Sequence, residues 1–135
     1  MTVTALLTTA QLLLVSVTLS HGDVSQDSPI TLIVFNSFEN TNLTYPTTVA
    51  YRGILLGAMR RLQASDHSFT FKTREDDNYG PFLVSVNGLA GTEKDRTYWE
   101  LLVQSADGAM IWSDVGVGCY IPRDQERIIL KFRKY

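Results

Sequence analysis

"RTYWELLVQSADGAMIW", residues 96–112, is the stretch on which the reading of the chain turns. Tyr98, Glu100 and Leu102 fall on one side of a two-residue alternation, and Trp99, Leu101 and Val103 on the other. That is the period of an extended strand, not of a helix. Ala106-Asp107-Gly108 follows, and Asp-Gly suits the type I′ turn of a tight hairpin, which needs positive φ at both central residues. Met110, Ile111 and Trp112 begin the return strand. Both tryptophans of the chain lie here, so their rings either fill a core or wall a binding surface. Alternation alone does not assign the two faces.

The same period extends in both directions. Phe69 and Phe71 alternate with Thr70 and Lys72, and Phe82, Val84 and Val86 with Leu83, Ser85 and Asn87. "REDDNYGP" (74–81) reads as a turn between them, and "NGLAGTEKD" (87–95) as a second loop. "IILKFRKY" (128–135) reads as a final strand. Near the start, "ITLIVFNSF" (30–38) is almost continuously apolar, which predicts a central strand buried on both faces. "ENTNLTYP" (39–46) reads as a loop closed by Pro46. Then Tyr51, Ile54, Leu55, Ala58, Met59 and Leu62 form one stripe at helical spacing. Thr47 or Thr48 is the expected N-cap, and the helix should end near Ala64 or Ser65. The expected fold class is α+β: one amphipathic helix packed on a mostly antiparallel β-sheet, ending in β-hairpins.

The chain has 135 residues, about one domain's worth. Residues 5–22 are apolar and uncharged and end in Ser20-His21-Gly22, a small-x-small cleavage pattern. Residues 1–22 are read as a secretory signal peptide and 23–135 as the domain. The rival is a membrane anchor, but Thr8, Thr9, Gln11, Ser16 and Thr18 interrupt a run that would need about 20 mainly apolar residues to span. A secreted, extracellular protein is expected, with no membrane span after signal removal. The net charge of −2 offers no basic patch to neutralise phosphates, so no nucleic-acid partner is expected. Cys119 is the single cysteine, and the domain must hold together by packing. In the apolar "VGVGCYIP" (115–122) it is read as buried rather than paired with another chain. Asn42-Leu43-Thr44 is an N-glycosylation sequon, which in a secreted chain belongs on the surface.

Signs of catalysis are weak, and no enzyme is expected. His67 sits beside Asp66 and Ser68 in a polar turn, and neighbours in sequence do not make a triad. Glu75-Asp76-Asp77 lacks the spacing of a calcium loop and reads as a charged turn. Gly116-Val117-Gly118 lacks the rest of a phosphate loop and marks a bulge or a close backbone approach. What remains are aromatic groups at turn edges, Tyr79, Phe82, Trp99 and Trp112, which fit either a core or a flat platform for a large planar ligand.

"YGPFLVSVNGLAG" (79–91), "DRTYWELL" (95–102) and "VGVGCYIP", in that order, resemble the C-terminal β-domain of the cobalamin carriers transcobalamin, intrinsic factor and haptocorrin. The resemblance covers residues 79–135 clearly and extends back toward Ile30. It implies a strand at "GV-x-x-Y-I-P" and a bound cobalamin, one face of whose ring system the domain covers. Carried over by position, it implies ligand contacts at Asn78, Tyr79, Gly80, Pro81, Phe82 and Leu83, and at Trp99, Glu100, Leu101 and Leu102, with Trp112 and Ser113 on the return side of the hairpin. The family's helical domain, which supplies most contacts and a cobalt-coordinating histidine, has no counterpart in these residues. The protein itself is therefore expected to supply no metal site, and binding to be weak unless a second chain closes the site. Two functions follow: a secreted cobalamin-binding and transport module, or a secreted protein-interaction module that kept the fold without the corrinoid. A receptor is a further expected partner.

Overall fold

The computed structural model describes residues 26–135. The expected signal peptide, residues 1–22, lies outside them. Among the described residues no helix is long and apolar enough to cross a membrane.

The order of elements is β1 (Ser28–Asn36), β2 (Thr41–Val49), α1 (Leu55–Ser65), β3 (Phe71–Asp76), β4 (Gly80–Val86), β5 (Leu89–Ala90), β6 (Thr97–Gln104), β7 (Met110–Trp112) and β8 (Arg127–Lys134). They form a five-stranded sheet in the order β2-β1-β8-β6-β7 and a three-stranded sheet in the order β3-β4-β5. Among the described residues only β1 and β8 run parallel; the other pairs are antiparallel. The α+β expectation holds.

β1 behaves as its composition requires. Ile30, Leu32 and Val34 point into the main core, while Ile33, on the opposite face, is also buried. The strand stops at Asn36, two residues before the expected end. The Asn36 carboxamide oxygen accepts the N–H of Phe38 at 3.0 Å and turns the chain. The expected loop over 39–46 is corrected here, because residues 41–49 form a full strand paired with β1. β2 is the outermost strand, so its free side tolerates Pro46 and a polar Asn-Thr run that would break a central strand. Tyr45 and Val49 anchor it in the core.

The start of the helix is also corrected. Thr47 and Thr48 lie in β2, and α1 begins at Leu55. Ile54 occupies the N-cap position, and no side chain bonds the open end. Instead the N–H groups of Leu55 and Leu56 donate to the carbonyls of Tyr120 (2.7 Å) and Val117 (2.9 Å). A loop more than 60 residues away in sequence thus satisfies donors that a local cap would have satisfied. The buried stripe is Leu55, Leu56, Ala58, Met59 and Leu62; Tyr51 precedes the helix and is exposed. The helix ends at Ser65, as expected.

Three turns differ from expectation. β3 runs to Asp76, so only residues 77–79 turn, with the Asp76 carboxylate accepting the N–H of Asn78 at 2.8 Å and of Tyr79 at 3.0 Å. In the 105–109 turn, Gly108 has φ +95° but Asp107 is not left-handed, so this is a type I turn followed by a glycine bulge rather than type I′. The Asp107 carboxyl is held below its ordinary range by the Ser105 hydroxyl and then by the Ala109 N–H. Residues 116–122 hold one turn, at 117–119, within irregular chain, and not the strand that the resemblance implied. In that segment Val117 enters the core and Cys119 is exposed, which corrects the buried cysteine.

β8 lies at the centre of the large sheet, and Ile128 and Leu130 are wholly buried. Ile128→Ala leaves a cavity between β1 and β6 and should cost roughly 2–5 kcal/mol. Urea unfolding of the two proteins should show a lower midpoint with an unchanged slope.

A cleft between two half-open strand edges

β7 pairs with only Leu102–Gln104 of β6, and β5 with only Ser85 and Val86 of β4. Among the described residues, no strand therefore lies beside residues 98–101 on the outer side of β6, or beside most of β4 on the side away from β3. These two edges border a cleft of about 900 Å³. Phe82, Leu83, Leu101, Val117 and Leu130 supply apolar wall; Lys72, Arg74, Glu93 and Asp114 supply charge. Trp112 stands on its far side, 70% exposed.

Trp99 belongs to both the core and the cleft. It is only 8% exposed, so little of the ring reaches the open space. The ring packs on Phe132 with centroids 5.0 Å apart. Its indole N–H donates to the carbonyl of Leu89 at 2.9 Å, which fixes the 87–91 segment over β6. Gly91 crosses β6 so closely that a Cβ there would lie 2.6 Å from the Thr97 carbonyl oxygen and 2.9 Å from the Tyr98 Cα.

The loop after β7 closes one end. A Cβ on Gly118 would lie 2.6 Å from Cγ of Pro81, so this glycine marks the close approach expected for the segment. The loop is tied down by Tyr120, whose hydroxyl donates to Glu126 at 2.6 Å. Glu126 is 2% exposed, and the same carboxylate oxygen accepts the Arg123 N–H at 2.8 Å. Burial, and then the bond to Glu126, push the Tyr120 hydroxyl well above its ordinary range.

Seven of the residues implied by the resemblance meet at this cleft: Phe82, Leu83, Trp99, Glu100, Leu101, Trp112 and Ser113. Glu100 reaches it along the open edge. By alternation its side chain faces away from Trp99, and its carboxylate meets Arg133 at 3.3 Å. The neighbouring Tyr98 hydroxyl is raised by burial first and by Glu100 second. Asn78, Tyr79, Gly80 and Pro81 do not line the cleft. They form the tip of the β3–β4 hairpin, where Tyr79 is 81% exposed. Leu102 lies on the opposite face of the sheet, beside Ile33 and Ile129.

Sequence reasoning missed Lys72, Thr73 and Arg74, and the 114–117 loop. The first group had a signal: β3 must pair with the strand containing Phe82, and in the structure Arg74 lies opposite Phe82 with its guanidinium 4.8 Å from the ring centroid. The loop had none, because its position depends on Glu126 and the helix start. His67 is exposed in its turn, where the Asp66 carboxylate accepts the Ser68 hydroxyl. Among the described residues no group of three or more His, Cys, Asp or Glu side chains is placed to hold a metal ion.

The architecture is thus a helix-backed sheet with a one-sided, aromatic-edged cleft. Residues 54–134 match the family described as "Domain of unknown function (DUF4430)", and the chain belongs to that family. Human Transcobalamin-1 is 32% identical over 123 residues, covering 84% of this chain and 27% of its own. Rat cobalamin binding intrinsic factor is 32% identical over 94 residues, covering 70% of this chain and 21% of its own. The chain thus spans about a quarter of the length of these relatives. Among solved structures, haptocorrin in complex with Cbi has a TM-score of 0.70 at 24% identity, covering 84% of this chain and 26% of that one. A Ruminococcus gnavus protein has a TM-score of 0.56 at 16% identity, covering 80% of this chain and 98% of that one. The resemblance to part of the cobalamin carriers, read from the motifs, is borne out.

Two measurements probe how the cleft is built. Gly91→Ala drives a methyl group into backbone and should cost roughly 1–3 kcal/mol, read as a lower urea midpoint. Tyr120 gives a pH dependence. An unfolded tyrosine releases its proton near 10.0, whereas in the fold Tyr120 keeps it to higher pH. Above that value the unfolded chain binds fewer protons than the native one, so stability falls as pH rises. Urea midpoints measured from pH 8 to 11 should decline more steeply in the parent than in Tyr120→Phe.

Proposed function

We propose that this is a secreted, non-enzymatic module that binds cobalamin for transport, with the corrinoid lying against the cleft between β4 and β6. The observation that carries this reading is an aromatic-edged cleft flanked by two open strand edges in a chain whose relatives are named as cobalamin binders. A corrin is broad and partly apolar, with amides around its rim. Phe82, Leu83, Leu101 and the exposed ring of Trp112 suit its apolar parts. The free backbone groups on the outer side of residues 98–101 suit its amides, because a peptide edge offers both donors and acceptors. Trp99 acts mainly as a buttress that keeps β6 and the 87–91 segment in place. Asn78, Tyr79, Gly80 and Pro81, at the hairpin tip, are assigned to the outer margin of the ligand, where Tyr79 is free to turn onto it.

The cleft is open on one side. A ligand held there keeps part of its surface in water, so the domain alone binds weakly and a second chain or domain that closes over the ligand tightens the complex.

Hydroxocobalamin titrated into the protein should quench tryptophan fluorescence and release or absorb heat in calorimetry. Trp112→Ala removes an exposed ring and should leave folding intact while weakening binding about tenfold or more. A parent protein that gives neither heat nor quenching overturns the proposal.

A further inference from the structure

The face of the five-stranded sheet turned away from α1 carries a second, shallower concavity of about 350 Å³. Ile33, Phe35, Leu102 and Ile129 provide its apolar lining, and Lys131 and the sequon residue Asn42 its polar margin. Phe35 and Asn42 are direct cross-strand partners in the β1–β2 ladder. Side chains so paired on one face have Cβ atoms about 4.5–5.5 Å apart. Asn42 is exposed, Phe35 is half-buried, and the Lys131 ammonium lies 5.8 Å from the Phe35 ring centroid.

We propose that Asn42 carries an N-linked glycan whose first N-acetylglucosamine lies on the Phe35 ring and roofs this concavity. A pyranose presents a face of C–H groups and a rim of hydroxyls. Its apolar face suits the ring, while its hydroxyl and acetamido oxygens can accept from Lys131. The covalent link starts from the residue opposite Phe35, so stacking costs little of the freedom that a free sugar would lose on binding. The same glycan stands on the outermost strand, where its bulk blocks another chain from adding to the open edge of β2. The proposal rests on the secreted reading, since the modification is made in the secretory route. It does not depend on the corrinoid, because Asn42 and the Trp99 ring lie on opposite faces of the sheet.

The test uses the chain secreted from a eukaryotic host, with the glycan trimmed enzymatically to its first sugar. Thermal midpoints are compared between this protein and Asn42→Gln, each with Phe35 present and in the Phe35→Leu background, which keeps apolar bulk without an aromatic face. The sugar should raise the midpoint by about 3 °C when Phe35 is present and by nothing measurable in Phe35→Leu. Proton NMR of the trimmed protein should show sugar resonances moved upfield by the ring. An unmodified Asn42, sugar resonances at their free positions, or a stabilisation that is equal in the two backgrounds overturns the proposal. Corrinoid titration of the trimmed protein and of Asn42→Gln should give the same affinity; failure of both to bind overturns the cobalamin reading and leaves the glycan result standing.

Discussion

The position of β8 is the constraint from which the rest follows. The last strand of the chain inserts between β1, which it meets in parallel, and β6, which it meets antiparallel. Without it, the β1–β2 hairpin and the β6–β7 hairpin have no strand in common. Its inward residues Ile128, Leu130 and Phe132 are buried among Leu32, Val34, Trp99 and Val103. Such a pairing closes a loop of nearly 100 residues (Ser37 donates to the Phe132 carbonyl across 95 positions), so the contacts must offset a substantial closure entropy. The buried inward row Ile128, Leu130 and Phe132, with half-buried Ile129 on the other face, is the means of doing so.

The approach to β8 also builds one wall of the cleft. Just before the strand, the buried Glu126 holds Tyr120 and the Arg123 N–H. That anchors the 116–120 loop, whose carbonyls then receive the first N–H groups of α1. One carboxylate thus links the end of the large sheet to the start of the helix. It also sets where Val117 enters the core and where Gly118 meets Pro81. The cleft itself arises from unequal strand lengths. β7 and β5 are short, so β6 and β4 each keep a stretch of unpaired edge, and the two stretches border the same space. An edge left open is a hazard unless it is covered or used. Here a ligand able to bond backbone groups would use both.

The two faces of the large sheet have separate tasks. One is buried under α1 and the small sheet, through Phe69 and Val86, and carries Trp99 toward the cleft. The other holds Ile33, Phe35, Leu102 and Ile129, with the sequon at its margin. A one-residue shift in register would exchange these faces. The period-two reading of residues 96–112 therefore contained the distinction between Trp99 and Leu102, although the resemblance placed both at one site.

The sequence alone determined the strands with strong alternation or continuous apolar runs (β1, β4, β6 and β8), the existence of α1 and the α+β class. These signals are local: the period of the side chains is set by the backbone geometry of the element that carries them. The motifs of residues 79–122 likewise determined the family likeness. Tertiary structure decided what no local signal carries. An Asn-Thr-Pro run became strand β2 because its place at the sheet edge leaves one side unpaired. A helix without a local cap starts at Leu55 because the Tyr120 and Val117 carbonyls arrive from far along the chain. Cys119 faces outward because Val117 takes the core position beside it. Lys72, Arg74 and residues 114–117 reach the cleft only once the two sheets are packed together. Each of these depends on hydrogen bonds or contacts between residues distant in sequence, and sequence spacing specifies neither their distance nor their direction.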